Sequence, residues 1–225
     1  MRNLSEKLML GKALLLLVCL CFSCSEDVDV TSKNNAPTTP RATLGTGSFN
    51  LWGTCNGHPY LSGSGIIVPV GNCGTDIDAA QQKNSQVANG FQMYGAFKGG
   101  SNAYSGSSEM AVFVCDNVTQ WNGNEMGFVK TLNDNTLKAY LQGGGQYIWQ
   151  VVATGNNGNH TYKCQAKSSN THQVDFYIDN VYKCTLTNNS GSYYNKNYYY
   201  VGTNHWYGGS NPSGQQLEMW NRDVW

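Results

Sequence analysis

Arginine is almost missing from this chain of 225 residues, standing only at Arg2, Arg41 and Arg222. That excludes an arginine-rich arm or a basic stripe, and with it a nucleic-acid surface, which needs clustered cations to neutralise phosphates. From Cys24 onward 11 Lys and Arg face 13 Asp and Glu, so neither sign dominates. Glutamate is scarce as well: Glu109, Glu125 and Glu218 are the only ones after the first 43 residues. Glycoside hydrolysis commonly uses two carboxylates about 5 to 9.5 Å apart, so that chemistry has few groups to draw on. No Cys or His residues show zinc-ligand spacing, and no glycine-rich phosphate loop occurs. Helical periodicity is lacking too, except that Asp76–Gln82 reads as a short helical turn.

What the chain has in quantity is Asn, Gly, Ser, Gln and Tyr. Neutral hydrogen-bonding side chains with many aromatics suit an extracellular protein that faces sugars. The residues from His160 to Leu186 organise the rest. Tyr162, Cys164 and Ala166 alternate with polar neighbours, as do Val174, Phe176 and Ile178, and a period of two is what a strand with one buried face requires. Asp179-Asn180 interrupts the run before VYKCTL resumes it. Both residue types tolerate the left-handed backbone of a tight hairpin turn. Three antiparallel strands are predicted here.

The same pattern predicts strands at 45–56, 66–70, 91–97, 110–115, 126–130, 136–141, 146–153, 191–201 and 215–225, with turns at 133–135 and 155–159. Pro69 places the 66–70 strand at a sheet edge. Ten to twelve short strands with polar turns between them indicate an all-β, two-sheet antiparallel sandwich.

The first residues belong to no fold. Arg2, Lys7 and Lys12 precede the apolar run Ala13–Phe22, too short to span a bilayer but suited to a secretory signal over residues 1–23. Phe22-Ser23-Cys24-Ser25-Glu26-Asp27 resembles the processing site of a bacterial lipoprotein, and the acidic residues after it resemble surface lipoproteins of the Bacteroidetes group. The resemblance implies acylation of Cys24 and a membrane attachment through lipid only. Ordinary signal-peptidase cleavage, giving a soluble secreted protein, is the alternative. Residues 24–43 are Ser-, Thr-, Asn- and Pro-rich and read as a disordered tether, leaving one folded domain at 44–225.

Five cysteines remain after Cys24: Cys55, Cys73, Cys115, Cys164 and Cys184. Cys55 and Cys73, close together in a loop-rich region, are the expected disulfide. In a simple meander Cys164 and Cys184 stand two strand spacings apart, about 9.6 Å, beyond bonding reach. Cys115, ending the apolar run MAVFV, reads as a buried free thiol.

Residues 160–179, with VDFYIDN leading into the turn, resemble the core of concanavalin A-like and laminin G-like domains, Asn180 replacing the usual glycine. The closing LEMWNRDVW is similar to the last strand of related laminin G and pentraxin-like domains. The resemblance implies a jelly roll with one concave sheet, and it implies calcium as the ion such domains bind. Asp76 and Asp78 are the nearest carboxylate pair for it, with Asp116 in a second loop, although no recognised loop signature is present.

Sugar rings stack their CH faces on aromatics while their hydroxyls seek amides. TNHWYGGSN at 203–211 offers Asn204, His205, Trp206 and Tyr207 in one predicted loop, and QWNGN at 120–124 offers Trp121 and Asn122 in another. These are the expected ligand contacts for a polysaccharide or glycan. Trp149 and Trp220, in strand contexts, are expected in the core. A polysaccharide lyase or glycoside hydrolase acting in the concave sheet is the alternative. Glu109 lacks a carboxylate partner and reads as a solvated strand-end residue. A diverged lyase would need His160, Lys163, His172, Tyr177 and Gln150 on one sheet face.

Overall fold

The computed structural model describes residues 42–43, 49–53, 59–63, 65–70, 76–99, 107–116, 123–206 and 215–225. Among them fifteen strands follow one another with no helix. The first eight are β1 (Ala42–Thr43), β2 (Asn50–Gly53), β3 (Tyr60–Ser62), β4 (Gly65–Pro69), β5 (Asp76–Ala88), β6 (Gly90–Lys98), β7 (Ser107–Cys115) and β8 (Glu125–Thr131). The rest are β9 (Thr136–Gly143), β10 (Gln146–Thr154), β11 (His160–Lys167), β12 (Asn170–Ile178), β13 (Val181–Thr187), β14 (Lys196–Trp206) and β15 (Gln216–Val224).

All pairings are antiparallel and fall into two sheets. One runs β13-β12-β11-β6-β15-β4-β3, with β1 added beside the end of β15, and the other runs β10-β9-β8-β7-β14-β5-β2. Alternation decides which residues meet between them. Tyr162, Cys164 and Ala166 of β11 and Val174, Phe176 and Ile178 of β12 face inward, as their spacing predicts. They meet Met126 and Phe128 of β8, Met110, Val112 and Val114 of β7, and Tyr199 and Val201 of β14. Edge-to-face ring pairs tie the layers together, Phe91–Phe128 at 6.5 Å and Phe128–Phe176 at 5.5 Å between centroids, while Phe97–Tyr162 at 4.9 Å joins neighbouring strands of one sheet. Each such pair contributes about 0.5–1.5 kcal/mol beyond the area it buries.

The hairpin turn before β13 is as expected, Asp179 and Asn180 both taking positive φ, 53° and 63°. Cys164 and Cys184 stand on either side of Phe176 across three strands, and Cys115, Cys164 and Cys184 are buried thiols. The expected Cys55–Cys73 bridge and the lipidation residue Cys24 lie outside the described residues.

Four sequence-based expectations are corrected. The helical turn at 76–82 is instead the start of β5, a 13-residue strand between β14 and β2; pairing on both sides overrides the helical preference of Ala and Gln. The strand containing Pro69 is not an edge, because β3 adds outside it; Pro69 is tolerated as the last strand residue. Trp149 is not core but 51% exposed. Asn204, His205 and Trp206 extend β14 rather than forming a loop. Ala42 and Thr43 meet Val224 and Asp223 at the end of β15.

Candidate functional site

The seven-stranded sheet has a second face, turned away from the core, and its register lays out the side chains in rows. Tyr140 of β9, Gly127 of β8, Phe113 of β7 and Tyr200 of β14 lie side by side across four strands. The two glycine positions explain how the rings fit. A Cβ on Gly127 would lie 2.0 Å from the Val112 carbonyl oxygen and 2.7 Å from Phe113 Cβ, so its absence lets Tyr140 reach the Phe113 ring edge-on, 6.1 Å between centroids. Gly202 is the position over which the Tyr200 ring lies flat: a Cβ there would be 2.3 Å from the Tyr200 Oη. Tyr200 in turn stacks on Phe113. With Ala111, Cys115 and Val129 these rings form a second, smaller apolar layer that is itself buried.

Polar groups stand around that layer. Glu125, buried, accepts a hydrogen bond from Tyr140 Oη at 3.3 Å. Burial, followed by the Glu125 charge, pushes the Tyr140 phenol well above its ordinary range. Burial also raises the Glu109 carboxyl, against the pull of the Lys138 ammonium. Tyr147 of β10 has one side of its ring covered by Tyr140, 5.5 Å between centroids; that partial burial, and then the charges of Glu109 and Glu125, raise its phenol. These two do not form a hydrolytic pair. Glu109 is opposite Thr131 and Glu125 opposite Cys115, so their backbones are six residues, or roughly 20 Å, apart along the β7–β8 hairpin. Between them β7 presents Ala111 and Phe113. Glu218 is on the other sheet, where it pairs with Lys98 at 2.6 Å.

At the edge of this face the character changes. Ile148 and Val152 of β10 pack on the core, so Tyr147, Trp149 and Val151 share the outer face, and they are 43%, 51% and 42% exposed. The Lys138 ammonium sits 4.8 Å over the Trp149 ring and 3.9 Å from Asp134. A row of exposed apolar groups beside one cation and Glu109 is equipped to stack on a flat apolar surface and to hydrogen-bond its rim. Sequence reading missed it because a tryptophan in a strand gives no sign of which face is covered.

The predicted contacts fall as follows. Trp121, Asn122 and Tyr207 lie outside the described residues. Asn204 takes the position opposite Glu109, His205 that opposite Ser108 and Trp206 that opposite Ser107, at the start of β7. The segment carrying Trp121 leaves from the other end of β7, where Asp116 Oδ1 and Oδ2 accept hydrogen bonds from the backbone and side-chain nitrogens of Asn124, both at 2.8 Å. The stems of the two predicted ligand segments are therefore at opposite ends of one strand. Asp116 also takes the buried Lys196 ammonium at 3.3 Å. Desolvation alone would raise its carboxyl, but the Asn124 hydrogen bonds and the Lys196 charge hold it below the ordinary carboxylate value. With an ammonium already in place, Asp116 does not suit a calcium ion. No group of three metal-ligating side chains occurs among the described residues. Nor does a lyase-like face form: Lys163 stacks on Tyr177 in the eight-stranded sheet, Gln150 belongs to the other sheet, and His172 Nδ1 is engaged with the Gly191 carbonyl.

No protein-family model matches the sequence, and no curated protein matches it. Solved structures do. A Bacillus licheniformis β-glucanase aligns with TM-score 0.58 at 13% identity, covering 83% of this chain and 97% of its own. A native glycosidic hydrolase aligns with TM-score 0.61 at 11% identity, covering 82% of this chain and 95% of its own. The carbohydrate recognition domain of Emp46p, in its potassium-bound form, aligns with TM-score 0.53 at 11% identity, covering 80% and 88%. At such identities the likeness shows the fold: the chain is a concanavalin A-like jelly roll, the architecture these glucanases and lectin domains use.

Proposed function

We propose that the protein binds a polysaccharide on the outer face of the seven-stranded sheet, with Trp149 and Tyr147 as the stacking platform. One observation carries this: on a face whose interior aromatics are buried, the edge strand keeps Tyr147, Trp149 and Val151 in the open, beside Lys138 and Glu109. Exposed aromatics in a row with charged neighbours match the CH faces and hydroxyls of consecutive sugar rings. The fold neighbours include a carbohydrate recognition domain and a β-glucanase, which supports a glycan as the ligand. Binding is favoured over hydrolysis because Glu109 and Glu125 are too far apart along β7 and β8 to flank one glycosidic bond. The signal-like start and the Ser-Cys24 site support export to the cell surface, with the stretch from Cys24 up to β1 as tether and an acyl chain as the only membrane contact.

The test is a glycan array probed with the purified protein, followed by titration of the best oligosaccharide into wild type and the Trp149→Ala/Tyr147→Ala double variant. Both positions are exposed, so the variant is expected to melt with wild type while losing at least tenfold in affinity. Full binding by a folded double variant rejects this face. New reducing ends or unsaturated products from the best ligands would move the reading to the enzyme alternative.

A further inference from the structure

Beyond the outer face, a cleft of about 340 Å³ opens where the end of β10 meets the turn ends of β11, β12 and β13. That volume is at the lower end of the roughly 300–1,000 Å³ typical of small-ligand sites. The cleft is independent of the Trp149 strip, since Ala153 and Thr154 follow the bulge that separates them from Val151. Its wall is apolar at Ala153, Ile178 and Val181 and polar at Thr154, Asn156, His160, Asp179 and Lys183.

The polar groups are held in a defined arrangement. Asp179 Oδ1 accepts the Thr161 backbone N–H at 2.9 Å, and Oδ2 lies 2.6 Å from His160 Nδ1. Both carboxylate oxygens are therefore engaged, and the imidazole is fixed by one nitrogen with Nε2 left over. Lys183 is close enough for its charge to favour the Asp179 carboxylate, yet it forms no ion pair among the described residues. The opposite wall is set by a buried cation. Lys130 Nζ, fully buried, donates to the carbonyls of Phe97 at 3.0 Å and Asn156 at 3.2 Å and to Asn157 Oδ1. The Asn156 side chain donates to Tyr162 Oη at 3.2 Å. The turn that closes the cleft is thus tied to the core before any ligand arrives, which lowers the ordering cost of binding.

An uncommitted ammonium, an imidazole nitrogen and a hydroxyl facing an apolar wall suit one class of molecule. We propose that this cleft is a second ligand site that takes a single sugar ring bearing a carboxylate. The carboxylate pairs with Lys183, ring hydroxyls meet His160 Nε2 and Thr154 Oγ1, and the CH face rests on Ile178 and Val181.

The experiment titrates methyl glucuronide, methyl glucoside and sodium acetate separately into the full-length protein while the methyl resonances of Ile178 and Val181 are followed by NMR. The glucuronide is expected to shift both resonances with an affinity at least tenfold above that of the glucoside. Lys183→Ala, at an exposed position, should cost at least tenfold in glucuronide affinity, whereas Trp149→Ala should leave it unchanged. Equal affinity for the two glycosides, unaltered affinity in Lys183→Ala, or no shift with any of them overturns the site. Acetate binding as well as the glucuronide overturns its assignment to a sugar.

Discussion

Phe113 of β7 and Tyr200 of β14 lie ring on ring, their centroids 4.4 Å apart and their planes within 11° of parallel. The stack exists because Gly202, two residues after Tyr200, has nothing on its outer side. Gly202→Ala is expected to displace Tyr200 and destabilise the protein by about 1–3 kcal/mol, the usual cost of overpacking. Urea unfolding measures it. The Gly202→Ala/Tyr200→Ala double variant should lose much less than the sum of its single changes, since the clash is between those two groups.

Lys130 predicts a pH dependence. Burial lowers its ammonium from 10.5 to about 8. Between those values the unfolded chain holds a proton that the folded chain has released, so this residue's contribution to stability rises with pH. Cys164 and Cys184 act in the opposite sense above about pH 9, because burial raises both thiols and the fold keeps them protonated while the unfolded chain ionises. The Lys130 effect is therefore read as the difference in stability between wild type and Lys130→Met. That difference should move in favour of wild type by roughly 2 kcal/mol between pH 8 and pH 10. A flat difference would show that the lysine is not desolvated.

Asp116 and Lys196 predict a coupling energy. Removing the carboxylate leaves a buried ammonium without its acidic partner. Asp116→Ala is expected to cost roughly 2–3 kcal/mol, below the 3–5 of a fully buried pair because Asp116 is one-third exposed. Adding Lys196→Met should recover most of that loss in a double-mutant cycle. The contribution of Asp116 is present above its unfolded pKa and disappears as pH falls through the lower folded value.

The thiols predict a reactivity pattern. Cys115, Cys164 and Cys184 are buried and unbridged, and burial pushes Cys184 to about 11 and Cys164 higher still. Under native conditions at pH 8 these three should resist a thiol reagent and then react together on unfolding, as peptide mass mapping would show. A Cys164–Cys184 disulfide in a non-reduced digest would contradict the strand order.

Where one side of a strand faces a core, the chain states it openly. The alternation in β11, β12 and β13 and the Asp179-Asn180 turn could be read directly, because a one-residue slip would turn every apolar side chain outward. Strand β5 could not, since DIDAAQQKNSQVA has no apolar period; what makes it a strand is β14 on one side and β2 on the other, a non-local cause. Asn204 to Trp206 were misread for the same reason, being held extended by β7 and β5. The exposure of Trp149 was hidden because whether a face is covered depends on elements far away in the chain. The Asp179–His160 pair is different: its two members are 19 residues apart, and only the hairpin register brings them together.

One irregularity described above has a protective side. Strand β10 ends its sheet, and an open strand bearing Tyr147, Trp149 and Val151 is a template on which another copy could continue the ladder. The bulge between Val151 and Ala153 breaks the regular spacing of backbone donors and acceptors directly after those residues. The row of exposed rings is thus followed at once by a break in the ladder that a second copy would have to continue.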